Sequence, residues 1–442
     1  MDVVHVGLIG LGTVGAGVAR LLLTRRDLLE KKLSVRLNLK TIADLDTTRR
    51  RDLELPPGIL VRDASVILND PEIHVVVELI GGMEPAKTFI LQALASGKHV
   101  VTANKALLAE QGNELYEAAA GYGKDLLFEA SVAGGIPVIR TLKEGLAADR
   151  VRRIQGILNG TCNYILTKMT EEGSDFQTVL KEAQELGYAE ADPGFDVDGF
   201  DSAHKVAILT ALGFGVRVDY SRIYVEGIRH ISPLDIQFAR EFGFRIKLLG
   251  MCFNDAEGID ARVHPTMIPA QHMLANVNQA YNALLITGEA AGNILLYGLG
   301  AGEMPTAGAV VSDLMEAARS VANGISHRVP LLGFRRETMT PSRIKSIDEV
   351  ETHYYFRFSA VDKPGVLSMI SGILGRHGIS IASVIQKGRR SQGTVPIVMM
   401  THRARERNVR RALEEIARQG EVGRPTTMIR VENEDETLES GL

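Results

Sequence analysis

The run Val3-Val4-His5-Val6-Gly7-Leu8-Ile9-Gly10-Leu11-Gly12-Thr13-Val14-Gly15 does most to limit what this chain can fold into. A β-branched, apolar segment ends in Gly-x-Gly-x-x-Gly, and an apolar helical pattern over 14–23 begins at once. Gly10 permits the tight turn, Gly12 lets backbone approach a pyrophosphate, and Gly15 lets helix and strand pack closely. The helix N-terminus then faces the anion. A glycine triplet by itself is a weak signal. Set between a strand and a helix, this one predicts a dinucleotide site at Gly10, Gly12, Thr13, Val14 and Gly15.

Strand patterns at 3–9, 35–43, 73–79, 98–102 and 125–130 alternate with helical patterns at 13–30, 85–96 and 105–122, with a shorter helix near 63–70. Such alternation predicts an α/β, Rossmann-type, doubly wound parallel sheet over residues 1–135. Residues 136–325 mix long helices with β-rich runs near 152–158, 246–253 and 258–263, an α+β pattern. The sequence Pro305-Thr306-Ala307 opens a helix that runs to Ala322 and is expected to return onto the first domain. Residues 326–350 have linker composition. From 351 to 431 a strand–helix–strand–strand–helix–strand order predicts a ferredoxin-like sandwich, and 432–442 is an acidic tail.

The chain has 442 residues, a formal charge of -4 and two cysteines, Cys162 and Cys252. That charge offers no bulk attraction for nucleic acid or an acidic membrane. Two cysteines exclude a disulfide framework and point to a reducing, cytoplasmic compartment. No basic, cleavable leader and no apolar run of bilayer-spanning length is evident.

Asp44, after the second strand, is suited to adenosine ribose hydroxyls and favours NAD. It stands 29 residues beyond Gly15, and Arg49-Arg50-Arg51 follows closely. Arginines such as Arg49 could instead hold a 2′-phosphate, so NAD and NADP both stand open. In open α/β sheets ligands bind beyond the carboxyl ends of strands. Ile80 and Gly81 end one such strand, and Thr102, Asn104 and Lys105 end the next. Asn104 also suits a helix N-cap; Lys105 is expected to face ligand. The stretch 187–201 holds five carboxylates in twelve residues: Glu190, Asp192, Asp196, Asp198 and Asp201. It lacks the order of a calcium loop, which leaves a pocket for a substrate ammonium group or a solvated loop. Asp201-Ser202-Ala203-His204-Lys205 then enters an almost wholly apolar helix, with Asp201 as its expected N-cap. A lysine at the head of a buried helix is either half of a structural ion pair or functional, and an acid/base or substrate-orienting Lys205 is favoured. Thr161, in Asn159-Gly160-Thr161-Cys162-Asn163, lines the same pocket or caps a turn. Gly302, in Gly298-Leu299-Gly300-Ala301-Gly302, offers open backbone but follows no clear strand.

These segments together resemble homoserine dehydrogenases, specifically the monofunctional type with a C-terminal ACT domain. The resemblance rests on the glycine turn, Glu78-Leu79-Ile80-Gly81-Gly82, Thr102-Ala103-Asn104-Lys105 and Glu129-Ala130-Ser131-Val132-Ala133-Gly134-Gly135-Ile136-Pro137. Leu158-Asn159-Gly160-Thr161-Cys162-Asn163-Tyr164-Ile165, Gly187-Tyr188-Ala189-Glu190-Ala191-Asp192-Pro193 and Asp201-Ser202-Ala203-His204-Lys205 complete it. It implies NAD(P)-linked interconversion of L-homoserine and L-aspartate 4-semialdehyde, in threonine, methionine and isoleucine biosynthesis. It further implies Lys205 as proton donor assisted by Lys105, with Glu190 and Asp201 on the substrate amino group and Gly187, Thr161 and Asp196 around them. A monovalent cation, sodium by analogy, would sit on oxygens of Glu129, Val132, Gly134 and Ile136. Asp362, Gly365 and Val366 match the ligand turn of ACT domains, where threonine acts as effector, and the family assembles as a homodimer or homotetramer. Two rivals remain. A thioester-forming semialdehyde dehydrogenase would need a nucleophilic cysteine, and Cys162 has no evident histidine partner. A non-catalytic NAD(P)-bound sensor is opposed by the intact Glu190, Asp201 and Lys205 set.

Overall fold

A computed structural model describes residues 2–48, 53–386 and 394–432. The first sheet contains β1 (Val3–Ile9), β2 (Arg36–Ala43), β3 (Leu60–Val61), β4 (Ile73–Glu78), β5 (His99–Thr102) and β6 (Leu126–Leu127). Their order is β3-β2-β1-β4-β5-β6, and every pairing is parallel. Near-continuous burial of β4 and β5 reflects helices on both faces, which is why their sequences read as apolar runs without alternation. The expected helix over 13–30 is two helices, Thr13–Thr24 and Arg26–Lys32, broken at Arg25 where the apolar face gives way to charge. The expected strand at 125–130 shortens to β6, followed by a buried 3-10 turn, Glu129–Ser131.

The second sheet starts with β7 (Val151–Ile157); of two short strands that follow, β8 (Val216–Arg217) lies outside it and β9 (Tyr224–Val225) pairs with the strand Gly258–Pro269. The sheet continues through β10 (Phe244–Asp255), β11 (Gly258–Pro269), β12 (Tyr281–Gly288) and β13 (Gly292–Leu299). The β12–β13 hairpin is missing from the sequence reading, because its strands are continuous apolar runs that period-2 alternation does not mark. A strand does precede 298–302: the second glycine cluster joins β13 to the helix Glu303–Asn323. That helix returns to the first domain, as expected, and packs Ala307 against Gly17 while Arg20 pairs with Glu303.

After β14 (Thr340–Pro341), which pairs with β8, come β15 (Glu351–Val361), β16 (Ile381–Gln386), β17 (Thr394–Thr401), β18 (Ala404–Arg405) and β19 (Val422–Val431). With helices Val366–Arg376 and Glu406–Ile416 they form the ferredoxin-like sandwich, in the order β19-β15-β17-β16. The β19 edge is not open, because it joins β11 in parallel through Thr266↔Arg430 and Met267↔Val431. One continuous sheet, β13-β12-β7-β10-β11-β19-β15-β17-β16, therefore spans both units. Tyr355, Val398, Ile429 and Val431 share a hydrophobic cluster with Leu248, Val263 and Met267. Glu432, assigned to the acidic tail, is ordered: it pairs with Arg262 at 2.7 Å, and its N–H donates to Met267 O. Residues 433–442 lie outside the described residues. Among the described residues no helix is long and apolar enough to cross a membrane.

Candidate active site

The glycine turn has the geometry its motif requires. Gly10 has φ +100, and a Cβ there would lie 2.8 Å from the Leu79 carbonyl carbon. A Cβ on Gly15 would lie 2.1 Å from Gly10 O, so only hydrogen fits between helix and strand. At Gly12 a Cβ would meet nothing within 4 Å. Gly12 is the N-cap of the helix Thr13–Thr24 and provides no side-chain cap, which leaves first-turn N–H groups to an anion. Thr13 is exposed and Val14 half-buried beside it. Asp44 sits at the carboxyl end of β2 and accepts the Leu11 N–H at 2.6 Å, so it also braces the turn. Arg49 lies outside the described residues.

Glu78, wholly buried at the end of β4, accepts the N–H groups of Ile80 and Gly81 and the Thr102 hydroxyl. It thus shapes the exposed Ile80–Gly81 turn and turns Thr102 inward. Asn104 caps the helix Lys105–Tyr122 by accepting the Leu107 N–H, and its amide donates to Gly82 O. Thr102 and Asn104 therefore build the strand ends, while Lys105 reaches beyond them.

It reaches Asp201. Lys105 Nζ lies 3.1 Å from Asp201 Oδ1 and 5.8 Å from the Phe195 ring centre. Lys205 Nζ lies 2.7 Å from Asp201 Oδ2 and donates to Leu158 O at 2.6 Å. Asn159 donates to Asp201 Oδ2 and Asp196 Oδ1. The two lysines, drawn from different domains, thus share one carboxylate. Asp201 is not the N-cap: Gly199, at φ +92, holds that place, and Asp201 lies in the first turn of the helix Phe200–Phe214. Every residue from Asp201 through Gly213 is buried, as the apolar pattern predicts.

Burial pushes the Asp201 carboxyl up, but the ammonium groups of Lys205 and Lys105 outweigh it and hold the group well below the usual range. Asp196 is raised, first by burial and then by the Asp201 charge. Lys105 is raised by Asp201 against its own burial, with Asp196 and Glu190 adding to the effect. Glu190 is exposed at the rim. Gly187, at φ +77, turns the chain into this segment, and Thr161 ties it down by donating to Tyr188 O at 2.6 Å. Lys105, Lys205, Asp196, Asp201, Glu190 and Thr161 therefore converge.

Cys162 is wholly buried, its thiol donates to Asp196 O, and burial pushes its pKa well above the usual value. That is opposite to what a thioester-forming nucleophile needs. The sequence gives no sign of Asn282 or of a role for the Leu158 carbonyl. Asn282 donates to the same Leu158 carbonyl that Lys205 uses, and Gly300 lacks the Cβ that would collide with it at 2.0 Å. A carbonyl ligand leaves no sequence signature, so no pattern could have found this pair.

Elsewhere, both Glu129 carboxylate oxygens accept backbone N–H groups, from Ile139 and Arg140, at 2.9 Å. Burial raises this carboxyl, and it has no ion-pair partner among the described residues. Ala133 and Gly134 have φ of 55 and 47, and Ile136 O already accepts the Val138 N–H. Among the described residues no group of three His, Cys, Asp or Glu side chains could hold a metal ion. In the C-terminal unit Asp362 and Gly365 (φ +93) are exposed before the helix Val366–Arg376, whose first residue, Val366, is buried.

Family models match along the chain: "Homoserine dehydrogenase, NAD binding domain" over residues 10–129, "Homoserine dehydrogenase" over 137–315 and "ACT domain" over 354–421. A homoserine dehydrogenase of Neisseria gonorrhoeae is 44% identical over 433 residues, covering 98% of this chain and 99% of that protein. The crystal structure of a homoserine dehydrogenase from Thiobacillus denitrificans superposes with a TM-score of 0.93 at 44% identity, covering 98% of this chain and 99% of that one. A hyperthermophilic archaeal homoserine dehydrogenase in complex with NADPH superposes at 0.61 with 25% identity, over 72% of this chain and 98% of that one.

Proposed function

Because the chain belongs to the homoserine dehydrogenase family of NAD(P)-dependent oxidoreductases, we propose that Lys205 moves the proton in its reaction and that Lys105 stabilises the reacting oxygen. The observation that carries this reading is the Asp201 carboxylate held by both lysines. An ammonium group has three donors. Two of those on Lys205 are committed to Asp201 and Leu158 O, which leaves the third for a substrate oxygen. Gly10, Gly12 and Gly15 would hold the nucleotide's pyrophosphate; its reduced form, NADH or NADPH, would supply the hydride to the aldehyde, and its oxidised form would accept it in the reverse direction. As an aldehyde oxygen becomes an alcohol, Lys205 gives it a proton, and in the oxidising direction Lys205 takes that proton back. Lys105, held charged by its carboxylate neighbours, offsets the negative charge that develops on the oxygen. The ammonium form of Lys205 is the proton donor, and it serves aldehyde reduction directly.

Glu190 and Asp201, with Asp196, Thr161 and Gly187 around them, receive the substrate ammonium group. A carboxylate offers about four acceptor sites; Asp201 has three donors on it and keeps room for one more. Lys205→Ala should lower turnover by ~10²–10⁴-fold while the affinity for NAD(P), titrated directly, stays close to that of the parent enzyme. Near-normal turnover would remove Lys205 from the chemistry. Homoserine oxidation followed in parallel with NAD and NADP decides the nucleotide preference.

The same reading extends to three finer points. A monovalent cation, sodium first, takes oxygens of Glu129, Val132, Gly134 and Ile136; a buried carboxylate that Arg140 and Lys143 influence only from beyond ion-pair distance, beside hard main-chain oxygens, suits an alkali ion. Its test is a sodium-dependent rise in melting temperature that Glu129→Gln abolishes. Threonine acts at the turn containing Asp362, Gly365 and Val366, and Asp362→Ala should relieve its inhibition. If the parent enzyme ignores millimolar threonine, that assignment falls. The protein works in the cytoplasm as a homodimer or homotetramer, joined through the exposed Leu295, Tyr297 and Leu299 of β13.

A further inference from the structure

Arg430 on β19 is wholly buried, and its guanidinium is divided between two domains. Within the C-terminal unit it holds Glu406 through Nε and Nη2. Across the boundary its Nη1 donates to Glu226 Oε2 at 2.7 Å, and Nη2 donates to the Tyr224 hydroxyl at 3.3 Å. Tyr224 donates in turn to Glu226 Oε2 at 2.8 Å, and its ring lies 4.9 Å beneath the guanidinium. Glu226 Oε1 faces His230 at 3.3 Å. The Glu226 main chain is fixed as well, since its N–H donates to Val263 O on β11 at 2.8 Å.

The next residues press on the loop that carries the substrate-facing carboxylates. A Cβ on Gly227 would lie 2.2 Å from Val197 O and 2.5 Å from Asp198 Cα, so two backbones touch with no side chain between them. The Ile228 N–H donates to the same Val197 O at 2.9 Å, and Arg229 pairs with Asp198. Gly199 is held at φ +92, and a Cβ there would lie 3.1 Å from Val225 Cγ1 and 3.4 Å from Glu226 O. Three residues on either side of this contact stand Asp196 and Asp201, or nearer. Packed backbone transmits displacement with little relaxation, because neither surface has a rotamer to change.

We propose that Glu226, pinned by Arg430, is a positioning residue for the reaction. It sets the placement of residues 194–201, and so of Asp196 and Asp201, through the backbone contact at Gly227. This rests on the reading of those carboxylates as the face that receives the substrate ammonium group. Fastening of the domains alone needs no such contact: β11–β19 pairing and the Arg357–Asp235 ion pair, 2.6 Å, already join them.

Arg357→Lys is therefore the control. It loosens the same domain boundary without touching residues 225–229. KM for homoserine, KM for NAD(P), kcat and melting temperature are to be measured for Glu226→Gln, Gly227→Ala, Arg430→Lys, Arg357→Lys and Asp196→Asn, all in the full-length enzyme. The first three should raise the homoserine KM about five- to twenty-fold and leave the NAD(P) KM within about two-fold, whereas Arg357→Lys lowers only the melting temperature. An equal rise in homoserine KM for Arg357→Lys would reduce Glu226 to a fastener. An unchanged KM in Gly227→Ala and Glu226→Gln, beside a raised one in Asp196→Asn, overturns the inference alone. A normal KM in Asp196→Asn overturns the reading of the carboxylates, and the inference with it.

Discussion

Asp196 and Asp201, carboxylates of one loop, are driven in opposite directions by their surroundings. Asp201 is held low by two ammonium groups, while burial and the Asp201 charge push Asp196 up. As pH falls, Asp196 takes its proton before an ordinary aspartate would (about 3.9), and Asp201 stays ionised. The kcat/KM for homoserine should thus lose an acid-side limb in Asp196→Asn, where the NAD(P) KM keeps its parent pH profile. The sign for stability follows by linkage. A depressed carboxyl contributes stability that is present above its unfolded pKa and lost as pH falls through the folded value. The raised Lys105 contributes stability fully present below about 10.4 and lost only as pH rises through its folded value. Asp201→Asn should therefore cost a melting-temperature difference that stays constant from about pH 5 to 9. A difference that vanishes within that window would mean that Asp201 is not ionised there. These opposed acidities were invisible in the sequence, which showed two aspartates five positions apart but not that two lysines meet at only one of them.

Secondary elements separate binding from stability at the glycine turn. Gly12 has open space where its Cβ would stand and an ordinary φ of -72. Gly12→Ala should leave the melting temperature unchanged yet raise the NAD(P) KM, since only a pyrophosphate needs that space. Gly15→Ala puts a methyl group 2.1 Å from Gly10 O and must part helix from strand. Overpacking of this kind costs ~1–3 kcal/mol, so both the melting temperature and nucleotide affinity should fall. Equal melting temperatures for the two variants would contradict the packing. The motif was legible because three glycines at fixed spacing answer one local geometric demand. The helix Phe200–Phe214 was legible by its apolar run, but its N-cap was not. A side-chain cap at Asp201 is the local preference, and the long-range contact of Gly199 with Val225 and Glu226 overrides it.

At the scale of the whole molecule, the continuous sheet makes the C-terminal unit part of the core. Truncation after residue 345 would strip β19 from β11, uncover the cluster around Val263 and Met267, and remove Arg357 and Tyr355 from Asp235. Apolar surface returned to water costs about 25 cal/mol per Å². The shortened chain should therefore melt well below the parent or aggregate, and threonine sensitivity is better tested by Asp362→Ala than by removing the domain. A truncated enzyme with parental stability would mean that the shared sheet contributes little. Assembly is tested separately: Tyr297→Asp on the exposed row of β13 should shift the mass measured by light scattering to that of one chain.

By itself the sequence determined whatever is dictated by near neighbours. The glycine spacing specified a nucleotide turn, the alternation of periods specified a parallel sheet, and the order of elements after residue 350 specified a ferredoxin-like sandwich. It also marked Lys105 by its place at a strand end and Lys205, with Asp201, at the head of a buried helix, whereas Glu190 stood out from four other carboxylates of its stretch only through the family resemblance. Only the tertiary structure decided that the two lysines share one carboxylate, that Leu158 O and Asn282 complete the arrangement, and that β19 closes onto β11. Those facts depend on contacts between segments up to 164 positions apart, from Thr266 to Arg430. Backbone carbonyls and sheet edges have no side-chain signature, and chemistry that runs through them becomes legible only when the chain has folded.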